Sequence, residues 1–145
     1  MMIQTKYHGE ISIEENEILK FEQGIPGFND EKDFILIPLE QGSPFLILQS
    51  MQTAELGFVV VNPFQFTADY EFDLSESDKE ILEIKSEKDV EVYTILTVKE
   101  RFEETTANLQ APLIVNRNQN KAKQIILNEQ KYSIKHNLFA QTQLK

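Results

Sequence analysis

The sequence predicts a mainly β protein, a compact antiparallel β-barrel-like single domain with one short helix, and three observations predict it. Short apolar runs rich in Phe, Ile, Val and Tyr recur along the chain, separated by turn-forming residues. The run Val90 to Val98 alternates with period two, and both of its faces carry apolar residues, which marks a central strand. Only Leu74 to Ile84 reads as helix, which leaves no room for the repeated crossovers of a parallel sheet.

In chain order the expected strands are Gln4 to Tyr7, Ile11 to Ile13, Ile18 to Phe21, Phe34 to Leu39, Phe45 to Ser50, Phe58 to Val61, Glu91 to Val98, Leu113 to Asn116 and Ala122 to Leu127. The helix follows from LSESDKEILEI. Ser75 or Ser77 can cap its orphan amides, Ser77 with Glu80 matches a capping box, and acids crowd its positive first turn. Its spacing turns Leu74, Ile81, Leu82 and Ile84 towards a sheet and leaves Glu76, Asp78, Glu80 and Glu83 in water.

The 145 residues, 41% of them hydrophobic, suit one domain with a real core. The domain is expected to span 1–145, with about 130–145 as a partly ordered tail. No apolar run approaches the roughly 20 residues of a membrane span. The N-terminal MMIQTKYHGE lacks the apolar core of a signal peptide. A cytoplasmic protein is expected. With no cysteine, disulfides, thiolate metal sites and cysteine nucleophiles are excluded.

A formal charge of −10 argues against direct nucleic-acid binding, which needs clustered Lys and Arg. The charge is uneven: residues 69–91 hold ten acids and three lysines, whereas 117–145 hold six bases and one acid. Such an acidic surface has two readings, one that it simply confers solubility and the other that it steers a basic protein partner, and both stay open on composition alone.

Phe21 to Phe28, FEQGIPGF, is either a phosphate-cradling loop or a structural corner. A phosphate loop needs a helix opening directly after the glycines and a Lys or third Gly at fixed spacing. Asn29, Asp30 and Glu31 follow instead, and three acceptors disfavour phosphate. Pro26 pre-sets φ and Gly27 supplies a positive φ, so Ile25 to Phe28 reads as a type II turn, with the rings of Phe21 and Phe28 buried on either side.

Catalytic candidates are few. His8 and His136 lie in separate terminal regions without metal-ligand spacing, and Ser43 in QGSPF lacks a nucleophile elbow. No cofactor or metal is expected. In NPFQFTADYEFDL, Phe64, Phe66, Tyr70 and Phe72 recur at spacings of two or four, so strand alternation places the rings on one face and Asp69, Glu71 and Asp73 on the other. Those acids are the first candidate docking surface. In TANLQAPLIVN, Asn108 suits a turn and Pro112 forces an extended entry into Leu113 to Val115.

Taken in order, these stretches resemble the flagellar assembly factor FliW family. The resemblance is carried by Thr5 to Glu10, by Phe21 to Phe28, by Gly57-Phe58 leading to Asn62-Pro63, by the strand around Val92 to Val98, and by Asn108 to Asn116. Tyr132 to His136 resembles the family's closing segment. The resemblance implies a non-enzymatic regulator built as a compact barrel-like domain, which binds flagellin and, when free of it, the RNA-binding translational repressor CsrA. Binding CsrA relieves its repression of flagellin mRNA. The expected partner-binding residues are Asp69, Glu71 and Asp73 from charge, and Asn108 and Asn116 from the matched motif; Gly24, Pro26 and Gly27 are assigned to structure. The alternatives are a small acidic β-barrel enzyme, a hydrolase or sugar-binding type using paired carboxylates, and an acidic interaction module with unrelated partners.

Overall fold

The computed structural model of the chain describes residues 1–67, 69–127 and 132–139. Strands β1 (Met2–Thr5) and β2 (Gly9–Ser12) form a separate hairpin. The others are β3 (Leu19–Lys20), β4 (Asp33–Pro38), β5 (Phe45–Ser50), β6 (Gly57–Val61), β7 (Glu91–Thr97), β8 (Thr106–Ala107), β9 (Leu113–Asn116), β10 (Lys121–Gln124) and β11 (His136–Asn137). They pair in the order β11-β8-β7-β6-β5-β4-β3-β10-β9, and a further pairing of β7 with β9 closes seven of them into a barrel. Strand β7 therefore pairs with β6, β8 and β9, and the central position expected from its two apolar faces is what is found.

Among the described residues the strand pairings are antiparallel except one. β3 meets β10 in parallel, through the single register pair Lys20 and Lys121, and that pair completes the barrel. The antiparallel expectation holds for the rest.

Period-two alternation explains why the barrel strands look apolar almost throughout. Phe34, Leu48, Val60, Tyr93, Leu113 and Val115 join one cluster inside the barrel. Their neighbours Val61, Leu96 and Ile114 join a second cluster with Tyr70, Leu82, Leu109, Ile125, Leu127 and Leu138, which covers the outer wall. Ile35 on the opposite flank packs under the hairpin with Ile3 and Ile13. Gln49, fully buried, pins that hairpin: its Oε1 accepts from Lys6 N–H at 2.9 Å, and its Nε2 shares its two hydrogens among the carbonyls of Ser50, Thr53, Ala54 and Leu56, which surround it.

The Ile25 to Phe28 turn forms as predicted. Phe28 N–H donates to Ile25 C=O at 2.6 Å, and Gly27 has φ 89°. Phe21 is fully buried, but Phe28 is 42% exposed and only leans its edge on Phe58, because the turn carries it past the barrel rim.

Helix α1 covers Glu76–Ile81, shorter than expected. Ser75 caps it, its hydroxyl accepting from Asp78 N–H at 3.1 Å; the Ser77 and Glu80 pairing is not the cap, since Ser77 already lies within the first turn. Leu82 at its end is fully buried.

Residues 64–73 depart from the expected strand. Asn62 caps a 3-10 turn at Pro63–Gln65, accepting from Phe64 N–H at 2.9 Å, and the described residues that follow carry no strand pairing. The rings still gather, Tyr70 lying 5.8 Å from Phe64, 5.4 Å from Phe72 and 4.7 Å from Tyr132.

Two short strands, β8 and β11, are additional to the predicted set. Within the expected tail, β11 pairs with β8 and Leu138 is buried. Residues 130, 131 and 140–145 lie outside the described residues.

Candidate partner-binding cleft

A cleft of about 690 Å³ opens where the irregular segment 70–74 passes α1 and the start of β7. Its walls are apolar through Phe64, Tyr70, Phe72, Leu74, Ile84, Val90 and Val92. Glu71, Asp73 and Glu87 line it with negative charge, and Lys79 and Lys85 line it with positive charge.

Tyr70 anchors the segment that forms one wall. It is 2% exposed, and its hydroxyl donates to Leu109 C=O at 2.6 Å. Burial, and secondarily the neighbouring Tyr132, raise its pKa and keep the phenol protonated. The Tyr132 hydroxyl reaches the same segment, donating to Glu71 C=O and accepting from Glu71 N–H, each at 2.9 Å. These bonds fix the backbone while the Glu71 side chain stays in water.

The predicted site residues separate into two groups. Glu71 and Asp73 stand together at the cleft, and Asp69 is exposed on the same segment without lining it. Asn108 and Asn116 lie elsewhere. Asn108 is half-buried, with its Oδ1 accepting from Ala111 N–H at 3.1 Å to shape the turn before Pro112. Asn116 is 1% exposed, and its amide is occupied by Leu82 C=O, Glu83 C=O and Asn118 N–H. Sequence reasoning overlooked the part of the cleft built by Lys79, Ile84, Lys85 and Glu87, since only tertiary folding brings α1 beside β7. The charge density of 69–91 was the signal available.

An acid–base pair needs two carboxylates shifted in opposite directions within one cleft. Glu83 and Asp89, neither of which lines the cleft, are both shifted down, Glu83 chiefly by the Lys121 ammonium at 2.7 Å and Asp89 chiefly by the Lys85 backbone N–H. Apolar walls with a charged edge suit the capture of a protein segment.

A family model described as "FliW protein" matches residues 2–138. The chain belongs to the FliW family. It is 56% identical over 136 residues to the flagellar assembly factor FliW of Bacillus pumilus (strain SAFR-032), covering 94% of each chain. Against the flagellar assembly factor FliW of Bacillus subtilis (strain 168) the identity is 54% over 136 residues, covering 94% of this chain and 95% of the relative. A solved structure described as "Crystal structure of the flagellar assembly factor FliW" superposes with a TM-score of 0.91 at 50% identity, covering 96% of this chain and 97% of that one. The FliW fold thus extends over the barrel, the hairpin and α1. No helix among the described residues is long and apolar enough to cross a membrane.

Proposed function

We propose that this protein is a cytoplasmic, non-enzymatic flagellar assembly factor that binds flagellin and, when free of it, binds and antagonises CsrA. The observation that carries the reading is family membership across nearly the whole chain, with relatives above 50% identity that are flagellar assembly factors. The acidic segment at the cleft supports it. A repressor that binds RNA presents basic surface, and a chain of net charge −10 attracts that surface while being repelled by the RNA itself.

Flagellin and CsrA then exchange on one protein. Occupancy by flagellin lowers the affinity for CsrA, and the coupling is reciprocal by linkage. When export removes flagellin, the freed protein captures CsrA and translation of flagellin mRNA resumes. Binding and release accomplish this, without cofactor, nucleic-acid contact or membrane attachment.

The test is affinity purification of the protein from cells with flagellin export open or blocked. Blocked export is expected to enrich flagellin and deplete CsrA in the captured material. Capture of neither partner overturns the reading. Replacing Asp69, Glu71 and Asp73 together by lysine is expected to slow association with CsrA and to flatten its salt dependence while the melting curve is kept. Unchanged association rates at low salt would remove this segment from the interface.

A further inference from the structure

The ladder between β9 and β10 continues past Gln124 on one side only. Ile125 N–H donates to Pro112 C=O at 3.0 Å, and Leu127 N–H donates to Gln110 C=O at 2.8 Å. Successive residues of an extended chain aim their backbone groups to opposite sides. The N–H and C=O of Ile126 therefore face away from β9. On that other side β3 reaches β10 only at Lys121, and the chain then leaves into the Gly24 turn. Among the described residues Ile126 makes no hydrogen bond, and it is 67% exposed.

A trough of about 510 Å³ runs beside this edge, between Phe72, Asp73 and α1 on one side and residues 123–127 on the other. Phe72, Ile125, Ile126 and Leu127 supply its apolar lining. Asp78 is neutralised there by Lys123, whereas Asp73 is exposed and has no cationic partner among the described residues.

We propose that the Gln124 to Leu127 edge is a strand-acceptor site, which takes an extended segment of a partner protein with alternating apolar side chains and a Lys or Arg near Asp73. The inference rests on the reading above that the protein works by binding other proteins. Unpaired backbone donors and acceptors on an extended edge select a strand, because a helix has already satisfied its own backbone groups. The apolar trough receives alternate side chains of that strand, and Asp73 selects a cationic one. An exposed apolar edge of this kind otherwise promotes non-specific association.

Ile126→Pro removes the outward N–H and leaves the bonds of Ile125 and Leu127 in place, a substitution that an edge strand tolerates. Ile126→Val keeps the N–H and serves as control. Purified flagellin and purified CsrA are titrated separately into isotope-labelled protein, with amide exchange at Ile126 followed alongside affinity. At least one partner is expected to slow that exchange and to bind Ile126→Pro about tenfold more weakly, with Ile126→Val unchanged. Equal binding of both partners to all three proteins overturns the site. If neither partner binds the parent, the functional reading fails by itself, and a soluble peptide alternating valine and lysine decides the edge. Peptide binding that Ile126→Pro weakens about tenfold upholds the site, and absent or unchanged binding overturns it. Self-association of the parent that Ile126→Pro abolishes also overturns it, since the occupant is then a second copy. Should Ile126→Pro fail to fold, Asp73→Lys takes its place, with a loss of about threefold or more expected in the same titrations.

Discussion

The side-chain nitrogen of Asn116, the last residue of β9, lies 2.8 Å from the carbonyl of Leu82 and 3.2 Å from that of Glu83, so the barrel wall holds the C-terminal end of α1. Glu83 there has φ 55°, a left-handed conformation that few non-glycine residues adopt. Asn116→Ala strips two carbonyls of their donor in a buried place and is expected to cost about 2 kcal/mol. Asn108→Ala removes a single half-exposed bond and is expected to cost about 1 kcal/mol or less. Urea unfolding of both variants measures the difference, and equal losses would sink the assignment of Asn116 to the helix anchor.

Two glycines of the same loop are expected to respond unequally. At Gly27, φ is 89° and an added Cβ meets nothing within 4 Å, so Gly27→Ala carries only the backbone strain, about 1 kcal/mol. At Gly24, φ is 69° and the added Cβ would stand 2.5 Å from the Asn29 carbonyl oxygen, backbone that cannot swing aside. Gly24→Ala is expected to cost roughly 3 kcal/mol. Denaturant midpoints in the reverse order would contradict the close approach.

Lys123 and Asp78 join β10 to α1 through an ion pair whose side chains are only 22% and 16% exposed. Removing one partner strands the other charge in a poorly solvated place. Lys123→Met and Asp78→Asn are each expected to cost about 1–3 kcal/mol, and the double variant less than their sum. Strict additivity in a double-mutant cycle would show the pair to be uncoupled.

Acid is expected to weaken the fold through Glu83 and Asp89. Their folded pKa values lie below the ordinary 4.5 and 3.8, so their contribution is complete above that range and disappears as pH falls through the lowered values. Lys121 behaves oppositely: its hydrogen bond with Glu83 raises its pKa above 10.5, and its contribution is lost as pH rises through the raised value. Glu83→Gln should therefore flatten both the acid and the alkaline limb of stability against pH, whereas Asp89→Asn should flatten the acid limb alone. Urea titrations from pH 3 to 11 separate the two, and an unaltered alkaline limb in Glu83→Gln would refute the pairing.

The barrel was legible in the sequence wherever local and tertiary preferences agree. Phe45–Ser50 and Leu113–Asn116 have the predicted bounds because apolar runs bracketed by turn residues can only be buried extended. The Pro26-Gly27 corner was equally legible from its required φ values. The ring spacing of 64–72 misled because alternation alone does not reveal that Asn62 starts a 3-10 turn. Ser75 and Ser77 are chemically equivalent caps, so the sequence alone does not choose between them. β8 and β11 are two-residue strands that exist only because distant segments meet. At the candidate site, the acids of 69–73 could be read from charge. The cleft could not, because its second wall arrives with α1 and β7.

One parallel pair, Lys20 with Lys121, completes the barrel, and it joins positions about a hundred residues apart. A ribosome delivers β3 long before β10. The meander of β3 to β6 must then wait with its flank unzipped until the final third of the chain emerges, so closure is a late and slow event in biogenesis. Nascent copies are most vulnerable to chaperone capture and proteolysis during that interval.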